Sequence, residues 1–208
     1  MKNIIEYNHP IFKDYTLTER YGKYGFLNKD EKVVITCQYE NYGFTHNEFA
    51  NMKLNGKWGI INYAGKEIVP FIYDMIEKPR YEYINIVQVM RNGFWGFVDF
   101  YCGKEFIPCV YQKVNDFINN YAIVWRNSKC GIVNKNGEEV VLCKYDRIEH
   151  HYDYFITKLN NKYGISLPSN EIVACVFDEI CRIKDLLCFR SATKWGVIHV
   201  SKLASLKD

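Results

Sequence analysis

A surplus of charge of one sign and long apolar runs are both missing from this sequence. The 208 residues carry a net charge of +3, which is too small to indicate a nucleic-acid or membrane-surface partner. The first ten residues have no apolar stretch long enough for a signal peptide, and no apolar run approaches the length of a membrane span. We therefore expect a cytoplasmic protein with no nucleic-acid partner and no membrane contact.

Recognisable catalytic and metal-binding motifs are missing as well. The sequence contains no phosphate-binding loop, no Gly-x-Ser-x-Gly turn and no His-Glu-x-x-His motif. None of its eight cysteines forms a Cys-x-x-Cys pair, which is the usual spacing in structural zinc sites. In a chain without a secretion signal we expect cysteines to stay reduced. The sequence thus predicts neither an enzyme nor a bound metal or cofactor.

Aromatic residues, by contrast, are abundant. They make up 16% of the chain, with seventeen Tyr and thirteen Phe, within a hydrophobic share of 48%. Tyr and Phe favour the half-buried surface of a pleated sheet. The composition, with 25% charged residues, indicates a folded chain with a core and favours β structure.

An aromatic residue followed by glycine recurs at a nearly constant spacing. The pairs begin at Tyr24, Trp58, Trp95, Tyr163 and Trp195, and Cys130-Gly131 fills the one gap. Successive pairs are 34, 37, 35, 33 and 32 residues apart, and a lysine precedes five of the six. A fixed period of this length is typical of stacked repeat architectures. The sequence therefore predicts about six tandem repeats, with strand A starting near 24, 58, 95, 130, 163 and 195.

Each repeat has the composition of three short strands. Strand A contains the aromatic-glycine pair, and a polar turn such as 62–65 supplies the positive φ that hairpin loops need. Strand B follows, as in Glu67-Ile68-Val69, and an aromatic-acidic pair such as Tyr73-Asp74 ends most copies. After a variable stretch, strand C alternates apolar and polar residues, as in 83–90.

The expected fold class is all-β, with about six tandem three-stranded antiparallel repeats in a single domain over residues 1–208. One such unit cannot bury its apolar face alone, so neighbouring units stack. Residues 3–20 resemble strands B and C without a strand A, and residues 195–200 resemble a strand A without B and C. Joining the ends would complete a unit in a closed six-bladed, propeller-like ring, whereas an open curved array fits the same sequence.

These units resemble the bacterial WG-repeat family, whose units carry a Lys-Trp-Gly start, a Gly turn and an Ile-Pro-x-x-Tyr-Asp stretch. The second full unit matches best, with Lys57-Trp58-Gly59, Gly65-Lys66-Glu67-Ile68-Val69-Pro70 and Tyr73-Asp74. The resemblance implies a bacterial β-repeat protein and brings no catalytic residues or cofactor. Cys130 in place of the aromatic residue and 167–170 in place of the Gly turn depart from the family pattern.

Two kinds of reactive side chain recur at fixed repeat positions. Cysteines stand two residues before the strand B aromatic: Cys37, Cys109, Cys143 and Cys175. Because the second repeat has Phe71 there, we interpret this position as an apolar packing site. Carboxylates follow that aromatic: Glu40, Asp74, Asp146 and Asp178. A carboxylate repeated in unit after unit indicates a turn former or an acceptor between units rather than a catalytic pair.

An arginine row and the variable stretches contain the candidate binding residues. Arg20, Arg91 and Arg126 stand four residues before the aromatic-glycine position, and Arg suits carboxylates and phosphates. The alternative is that each arginine pairs with an acidic neighbour. The stretches between strands B and C vary most, as binding loops do in repeat proteins. Their candidates are Lys78, Arg80, Tyr81, His150, His151 and Tyr152. For the two histidines, a solvated loop is the alternative.

These observations favour a non-enzymatic protein-binding repeat module, such as an adaptor, inhibitor or defence-related interaction protein of a bacterium. A binder of a small anionic ligand or nucleotide, using the arginine row and nearby Tyr rings, is the second hypothesis. The third is an enzyme with a site spread over several repeats, and no unique cluster of acid, base and nucleophile supports it.

Overall fold

Short antiparallel strands make up nearly all of the regular structure. The computed structural model describes residues 3–5, 15–46, 49–79, 85–151, 154–167 and 170–205. Within these ranges, 23 strands form six separate sheets, and a 3-10 helix follows the last strand. The expected all-β class is confirmed. No helix in the described part of the chain is long and apolar enough to cross a membrane.

Each sheet is a meander in which strands adjacent in sequence pair with one another. Sheet 1 contains β1 (Asn3–Ile5), β2 (Tyr15–Arg20), β3 (Lys23–Asn28) and β4 (Val33–Tyr39). Sheet 2 contains β5 (Asn41–His46), β6 (Phe49–Leu54), β7 (Lys57–Asn62) and β8 (Glu67–Tyr73). Sheet 3 contains β9 (Met75–Ile76), β10 (Ile86–Arg91), β11 (Phe94–Asp99) and β12 (Lys104–Tyr111).

The second half of the chain repeats this arrangement. Sheet 4 contains β13 (Lys113–Val114), β14 (Tyr121–Arg126), β15 (Lys129–Asn134) and β16 (Glu139–Tyr145). Sheet 5 contains β17 (Arg147–His150), β18 (Phe155–Leu159), β19 (Lys162–Leu167) and β20 (Asn170–Phe177). Sheet 6 contains β21 (Glu179–Ile183), β22 (Leu186–Ser191) and β23 (Lys194–His199), and the 3-10 helix Val200–Ser205 comes next.

Sheets 1 to 5 contain one strand more than the three-stranded unit expected from the sequence. Strand C is the second strand and strand A the third in all six sheets, and strand B is the fourth in sheets 1 to 5. The first strand, which we call the lead strand, lies in the variable stretch and has as few as two residues, as in β9 and β13. A sheet therefore takes its lead strand and strand C from one repeat and its strands A and B from the next.

The grouping of strands changes the interpretation of the chain ends. The segment 3–20 was expected to be part of a unit without strand A, but β1 and β2 are the first two strands of a complete four-stranded sheet. Sheet 6 has three strands, and strand B is the missing one among the described residues. None of the six sheets closes on itself.

Turn residues in the sequence fix the hairpins that carry each strand A. In sheets 1 to 5, the turns between strands C and A have positive φ at both central positions, as in Asn55 (51°) and Gly56 (77°). This is the backbone of the tight turn that Asn-Gly favours. At the end of strand A, the Asn62 side-chain oxygen accepts the backbone N–H groups of Ala64 (3.1 Å) and Lys66 (2.9 Å). Asn28 and Asn134 do the same in sheets 1 and 4.

In sheets 1 to 4, the glycine of the aromatic-glycine pair lies beneath strand B. In sheet 4, Cys130 pairs with Tyr145 and Ile132 with Val141, so strand B bulges over Gly131. A Cβ at Gly131 would lie 2.4 Å from the Val141 carbonyl oxygen, which is closer than van der Waals contact allows. Gly25, Gly59 and Gly96 are crowded in the same way by strand B. The repeated glycine is therefore a packing requirement.

Two compact units divide the chain, Met1–Val110 and Tyr111–Asp208. Sheets 1 to 3 lie in the first unit, except for Tyr111 at the end of β12, and sheets 4 to 6 lie in the second. Each unit has its own apolar clusters. The single domain expected over the whole chain stays a prediction.

Candidate functional site

Successive sheets within a unit pack face to face. Each sheet has two faces. The forward face carries the aromatic of the aromatic-glycine pair and the strand A residue two positions later, and the opposite face is the backward face. Phe26 on the forward face of sheet 1 packs in one cluster with Met52 and Ile61 on the backward face of sheet 2. Ile60 of sheet 2 packs in the same way with Val98 of sheet 3.

The second unit follows the same packing. Ile132 and Tyr145 on sheet 4 share a cluster with Phe155 on sheet 5. Ile156 and Ile165 on the forward face of sheet 5 then pack with Leu187 on the backward face of sheet 6. In these four sheets, the strand A residue two positions after the aromatic is at most 1% exposed.

Sheet 6 has a forward face that no described residue covers. Its register places Ile183 opposite Leu186, Cys188 opposite both Cys181 and Val197, and Arg190 opposite Trp195. Directly opposed residues on neighbouring strands share a face. Ile183, Leu186, Trp195 and Val197 are 58, 41, 57 and 58% exposed. We call the apolar surface formed by Cys181, Ile183, Leu186, Cys188, Trp195 and Val197 the open face.

Charged and polar groups border the open face. Arg190 Nε donates to Glu179 Oε2 (3.0 Å), and its guanidinium lies 5.9 Å from the Trp195 ring centroid. The bond to Arg190 lowers the pKa of Glu179, so this carboxylate stays charged at neutral pH. An apolar centre with an Arg, a Trp and a polar rim is the composition of a protein-binding surface, because desolvated aromatic and Arg side chains dominate interface energies.

The arginine row is largely occupied by internal contacts. Arg91 donates to Glu105 (2.9 Å), and Arg126 donates to both carboxylate oxygens of Glu139 (3.0 and 2.7 Å). The bond to Glu139 raises the pKa of Arg126. Arg20 lies 5.3 Å from the ring centroid of Tyr21. Two of the three arginines thus pair with an acidic neighbour, which was the alternative interpretation of this row.

Both paired arginines also lie over a tyrosine. Arg91 is 5.7 Å from the Tyr73 ring centroid, and Arg126 is 5.6 Å from that of Tyr111. The Tyr73 hydroxyl donates to Glu105 (2.8 Å), which closes a three-residue cluster. Burial raises the pKa of Tyr111 to about 12, so its hydroxyl is protonated at neutral pH. These clusters stiffen the sheets and leave little free guanidinium for a ligand.

The loop candidates are dispersed. Lys78 is exposed after β9, while Arg80, Tyr81 and Tyr152 lie outside the described residues. His150 ends β17 and its ring lies 4.8 Å from that of Phe155, and the His151 ring stacks on Tyr154 at 4.7 Å. Burial lowers the pKa of both histidines. They are half-buried packing residues, so the solvated loop considered for them was wrong.

The acidic row joins consecutive sheets. Asp146 binds Lys129 of its own sheet and accepts the backbone N–H of Asn160 in the next turn (2.8 Å). The hydrogen bond from Lys129 lowers the pKa of Asp146 most, and the bond from the Asn160 N–H lowers it further. The other row members make the same pair of contacts: Glu40 with Lys23 and Gly56, Asp74 with Lys57 and Asn92, and Asp178 with Lys162 and Ala192. The expectation of an acceptor between units is confirmed.

The cysteine row packs strand B against strand C. The Cys37, Cys109, Cys143 and Cys175 thiols each lie 3.6 to 3.9 Å from a strand C carbonyl oxygen. All four are free and half-buried, which agrees with a packing position. Within the described ranges, no group of three or more His, Cys, Asp or Glu side chains is placed to hold a metal ion.

The open face was missed at the level of sequence. The signal was the final repeat, where His199 replaces the turn-forming Asn or Asp and no Glu-apolar-apolar stretch follows strand A. From the sequence, that gap is compatible with a joint in a closed ring or with the end of an open array, and neither interpretation points to the exposed side chains beside it.

Six meandering sheets with a common strand order define a tandem β-sheet repeat protein. The family model of the WG containing repeat matches residues 24–58, 58–88, 95–130 and 131–163. Because these segments cover more than half of the chain, the protein belongs to the WG containing repeat family. No curated protein matches the sequence.

Several solved structures are similar to this chain at low sequence identity. Hsv2 of Kluyveromyces lactis is 11% identical (TM-score 0.38), with 77% of this chain and 60% of that chain covered. BamB from Moraxella catarrhalis is 12% identical (TM-score 0.34), with 88% and 66% covered. A eukaryotic initiation factor is 7% identical (TM-score 0.42), with 94% and 63% covered. The chain thus spans less than two thirds of the length of each, and no functional conclusion rests on them.

Proposed function

We propose that this protein is a non-enzymatic protein-binding module and that its partner docks on the open face of sheet 6. One observation carries the proposal. Forward faces in sheets 1, 2, 4 and 5 are buried by another sheet, whereas the equivalent Val197 is 58% exposed. A contiguous apolar surface of this kind marks an interaction site.

The partner's chemistry follows from what covers the other forward faces. Those covering surfaces are backward faces of sheets, with apolar side chains such as Ala50, Met52 and Ile61. We therefore expect the partner to offer a β-sheet surface with aliphatic side chains. The repeated carboxylates, the repeated thiols, Arg91 and Arg126 are engaged in structural contacts, which supports binding rather than catalysis as the role of this chain.

The anionic-ligand hypothesis gains no support from Arg91 and Arg126 of the arginine row. A phosphate or carboxylate ligand would have to displace Glu105 from Arg91 and Glu139 from Arg126. The biological setting stays as the sequence suggests, a cytoplasmic interaction protein of a bacterium acting as an adaptor, inhibitor or defence-related module.

Site-specific photo-crosslinking in the native cell tests this function. A photoreactive phenylalanine analogue replaces Leu186 on the open face or, as a control, Leu142 on β16, which is 64% exposed. We expect one discrete crosslinked protein from position 186 and none from position 142. The purified partner should then bind the wild-type chain, and Leu186→Asp should weaken that binding about tenfold or more.

Two results would overturn the proposal. One is an absence of crosslinked protein at position 186 while the chain is folded and abundant. The other is a crosslinked partner whose affinity in the purified system is unchanged by Leu186→Asp.

A further inference from the structure

Among the described residues, no strand pairs with β23 on the side where strand A of every other sheet has a strand B partner. In sheets 1 to 5, strand B follows strand A along the chain and pairs with it antiparallel. After β23, the chain instead enters the 3-10 helix, and Leu203 of that helix is buried in the cluster between sheets 5 and 6. Within the described residues, β23 pairs with β22 alone.

The strand register of the other sheets shows which residue types a strand paired with this edge of β23 would carry. The strand A aromatic lies opposite an aromatic, as in Trp58 with Tyr73 and Tyr163 with Phe177. Two residues later, strand A faces a β-branched residue: Phe26 faces Ile35, Ile60 faces Val69, Ile132 faces Val141 and Ile165 faces Val173. By this register, no described residue takes the place of the aromatic opposite Trp195 or of the Val or Ile opposite Val197.

No carboxylate of the described residues pairs with Lys194. This lysine is equivalent to Lys23, Lys57, Lys129 and Lys162, each of which pairs with the acidic residue that ends strand B of the same sheet. Sheet 3 has neither charge, because Phe94 replaces the lysine and Gln112 the acid. Lysine and acid are thus present or absent together in sheets 1 to 5. In the described part of the chain Lys194 makes no ion pair.

We propose that a partner protein supplies the missing strand B as an extended segment that pairs antiparallel along β23. The segment carries Val or Ile, then an aromatic residue four positions later, and Asp or Glu directly after it. Its aromatic faces Trp195, its β-branched residue faces Val197 and its carboxylate binds Lys194. Strand addition of this kind uses backbone hydrogen bonds for affinity and side chains for selectivity. This inference rests on the proposed function and specifies its partner.

Phe189 partly fills the place of the missing strand. A Cβ at Gly196 would lie 2.2 Å from the Phe189 ring, whereas in sheets 1 to 4 strand B lies over the equivalent glycine. Sheets 3 and 4 have Val89 and Val124 at the position of Phe189. The incoming segment therefore has to displace the ring, and Phe189→Val should strengthen binding about threefold to tenfold.

A labelled peptide with the sequence of residues 66–75, Lys-Glu-Ile-Val-Pro-Phe-Ile-Tyr-Asp-Met, is the probe, because it contains the strand B pattern and no cysteine. Fluorescence anisotropy with the intact chain measures its affinity. Lys194→Glu should weaken binding about fivefold or more, and Asp74→Lys in the peptide should restore it to within about threefold. Lys135→Glu, an equal change of charge at an exposed turn of sheet 4, is the matched control and should have no effect.

N-methylation tests the backbone pairing separately. Two versions of the peptide are methylated at alternate amides, and only the version whose methyl groups face β23 should lose binding, because one set of alternate amides points to the paired strand. Val197→Asp should abolish binding of the parent peptide while the circular dichroism spectrum of the chain stays unchanged.

The outcomes separate the inference from the proposed function. If the peptide does not bind, or binds with no response to Lys194→Glu and no rescue by Asp74→Lys, strand addition is wrong. A partner crosslinked at position 186 and weakened by Leu186→Asp would then still support docking on the open face. Loss of that crosslink overturns the docking proposal, and peptide binding that is rescued by the charge exchange shows that β23 accepts a strand by itself.

Discussion

Gly131 shows how tightly single residues are constrained in this fold. The space for a Cβ is taken by the Val141 carbonyl oxygen and the Cys143 backbone nitrogen, at 2.4 and 2.7 Å. Both belong to the backbone of strand B, which cannot move without breaking the ladder with strand A. At Gly196 the neighbour is instead the ring of Phe189, which can rotate. The same residue type therefore has two different environments.

Gly131→Ala should lower the free energy of unfolding by about 3 kcal/mol, because the new methyl group overpacks against backbone. Gly196→Ala should cost less than about 1 kcal/mol, because a side chain can give way. Urea denaturation of both variants measures the two values. Equal losses at the two positions would show that strand B is not what requires the glycine.

The Asp146 carboxylate should stabilise the fold through its charge. Its lysine and turn contacts lower its pKa in the folded state, so the stabilisation is present above the unfolded pKa of about 4 and is lost as pH falls through the lower folded value. Asp146→Ala should lower the urea midpoint more than Asp146→Asn at pH 7, because Asn keeps an acceptor for the Asn160 N–H. The difference between wild type and Asp146→Asn should shrink at pH 3.

The charge-matched control for this comparison is Asp30→Asn in an exposed turn. A loss at Asp30 equal to that at Asp146 would indicate an effect of net charge rather than of the contact with Lys129.

The backbone of strand B brings residues from three different strands into contact. The cysteine at its centre reaches a strand C carbonyl across the glycine of strand A, so three strands meet at one thiol. The bulge that makes this possible also brings the following aromatic and acid to the start of strand A. The repeated cysteine, glycine, aromatic and carboxylate therefore all belong to one backbone arrangement, which recurs from sheet to sheet.

Thiol reactivity should follow this arrangement. Burial raises the pKa of Cys130 to about 11 and of Cys143 to about 12, while Cys102 and Cys181 are exposed. Because the thiolate is the nucleophile, alkylation at pH 8 should be at least about tenfold slower at Cys130 and Cys143 than at Cys102. Peptide mass spectrometry after timed iodoacetamide treatment gives the rates, and fast labelling of Cys143 in the folded chain would contradict this packing.

At the scale of the whole molecule, the six strands A form a series with one exception. Five have a strand on each side, and β23 has a partner on one side in the described residues. Amide hydrogen exchange should therefore be faster along β23 than along β15 or β19, with protected and unprotected amides alternating because only one set faces β22. Uniform protection along β23 would mean that its edge is already covered in the free chain.

Much of the fold was predictable because its signals are local. Asn-Gly turns, the alternation in strand C and the lysine-aromatic-glycine start each act within a few residues, and their repetition places strand A six times. The lead strands escaped prediction because two residues such as Met75–Ile76 have no detectable period. Their pairing with strand C decides that they are strands.

The candidate site was less predictable because its features depend on which residues lie opposite one another on neighbouring strands and sheets. The arginine row is visible in the sequence, but the partners Glu105 and Glu139 lie 14 and 13 residues away and reach their arginines only through strand register. Trp195 and Val197 repeat residues that are elsewhere covered, so their sequence context alone predicts burial. Their exposure follows from a missing neighbour.

The sequence by itself thus determined the β class, the number of repeats and the turns, since short-range steric and hydrogen-bonding preferences suffice for these. Only the tertiary structure decided which strands share a sheet, which charges are neutralised and which face stays open. Those properties depend on contacts between segments that lie one repeat apart in the sequence. Repeats with similar sequences therefore differ in exposure and charge pairing because each has a different neighbour.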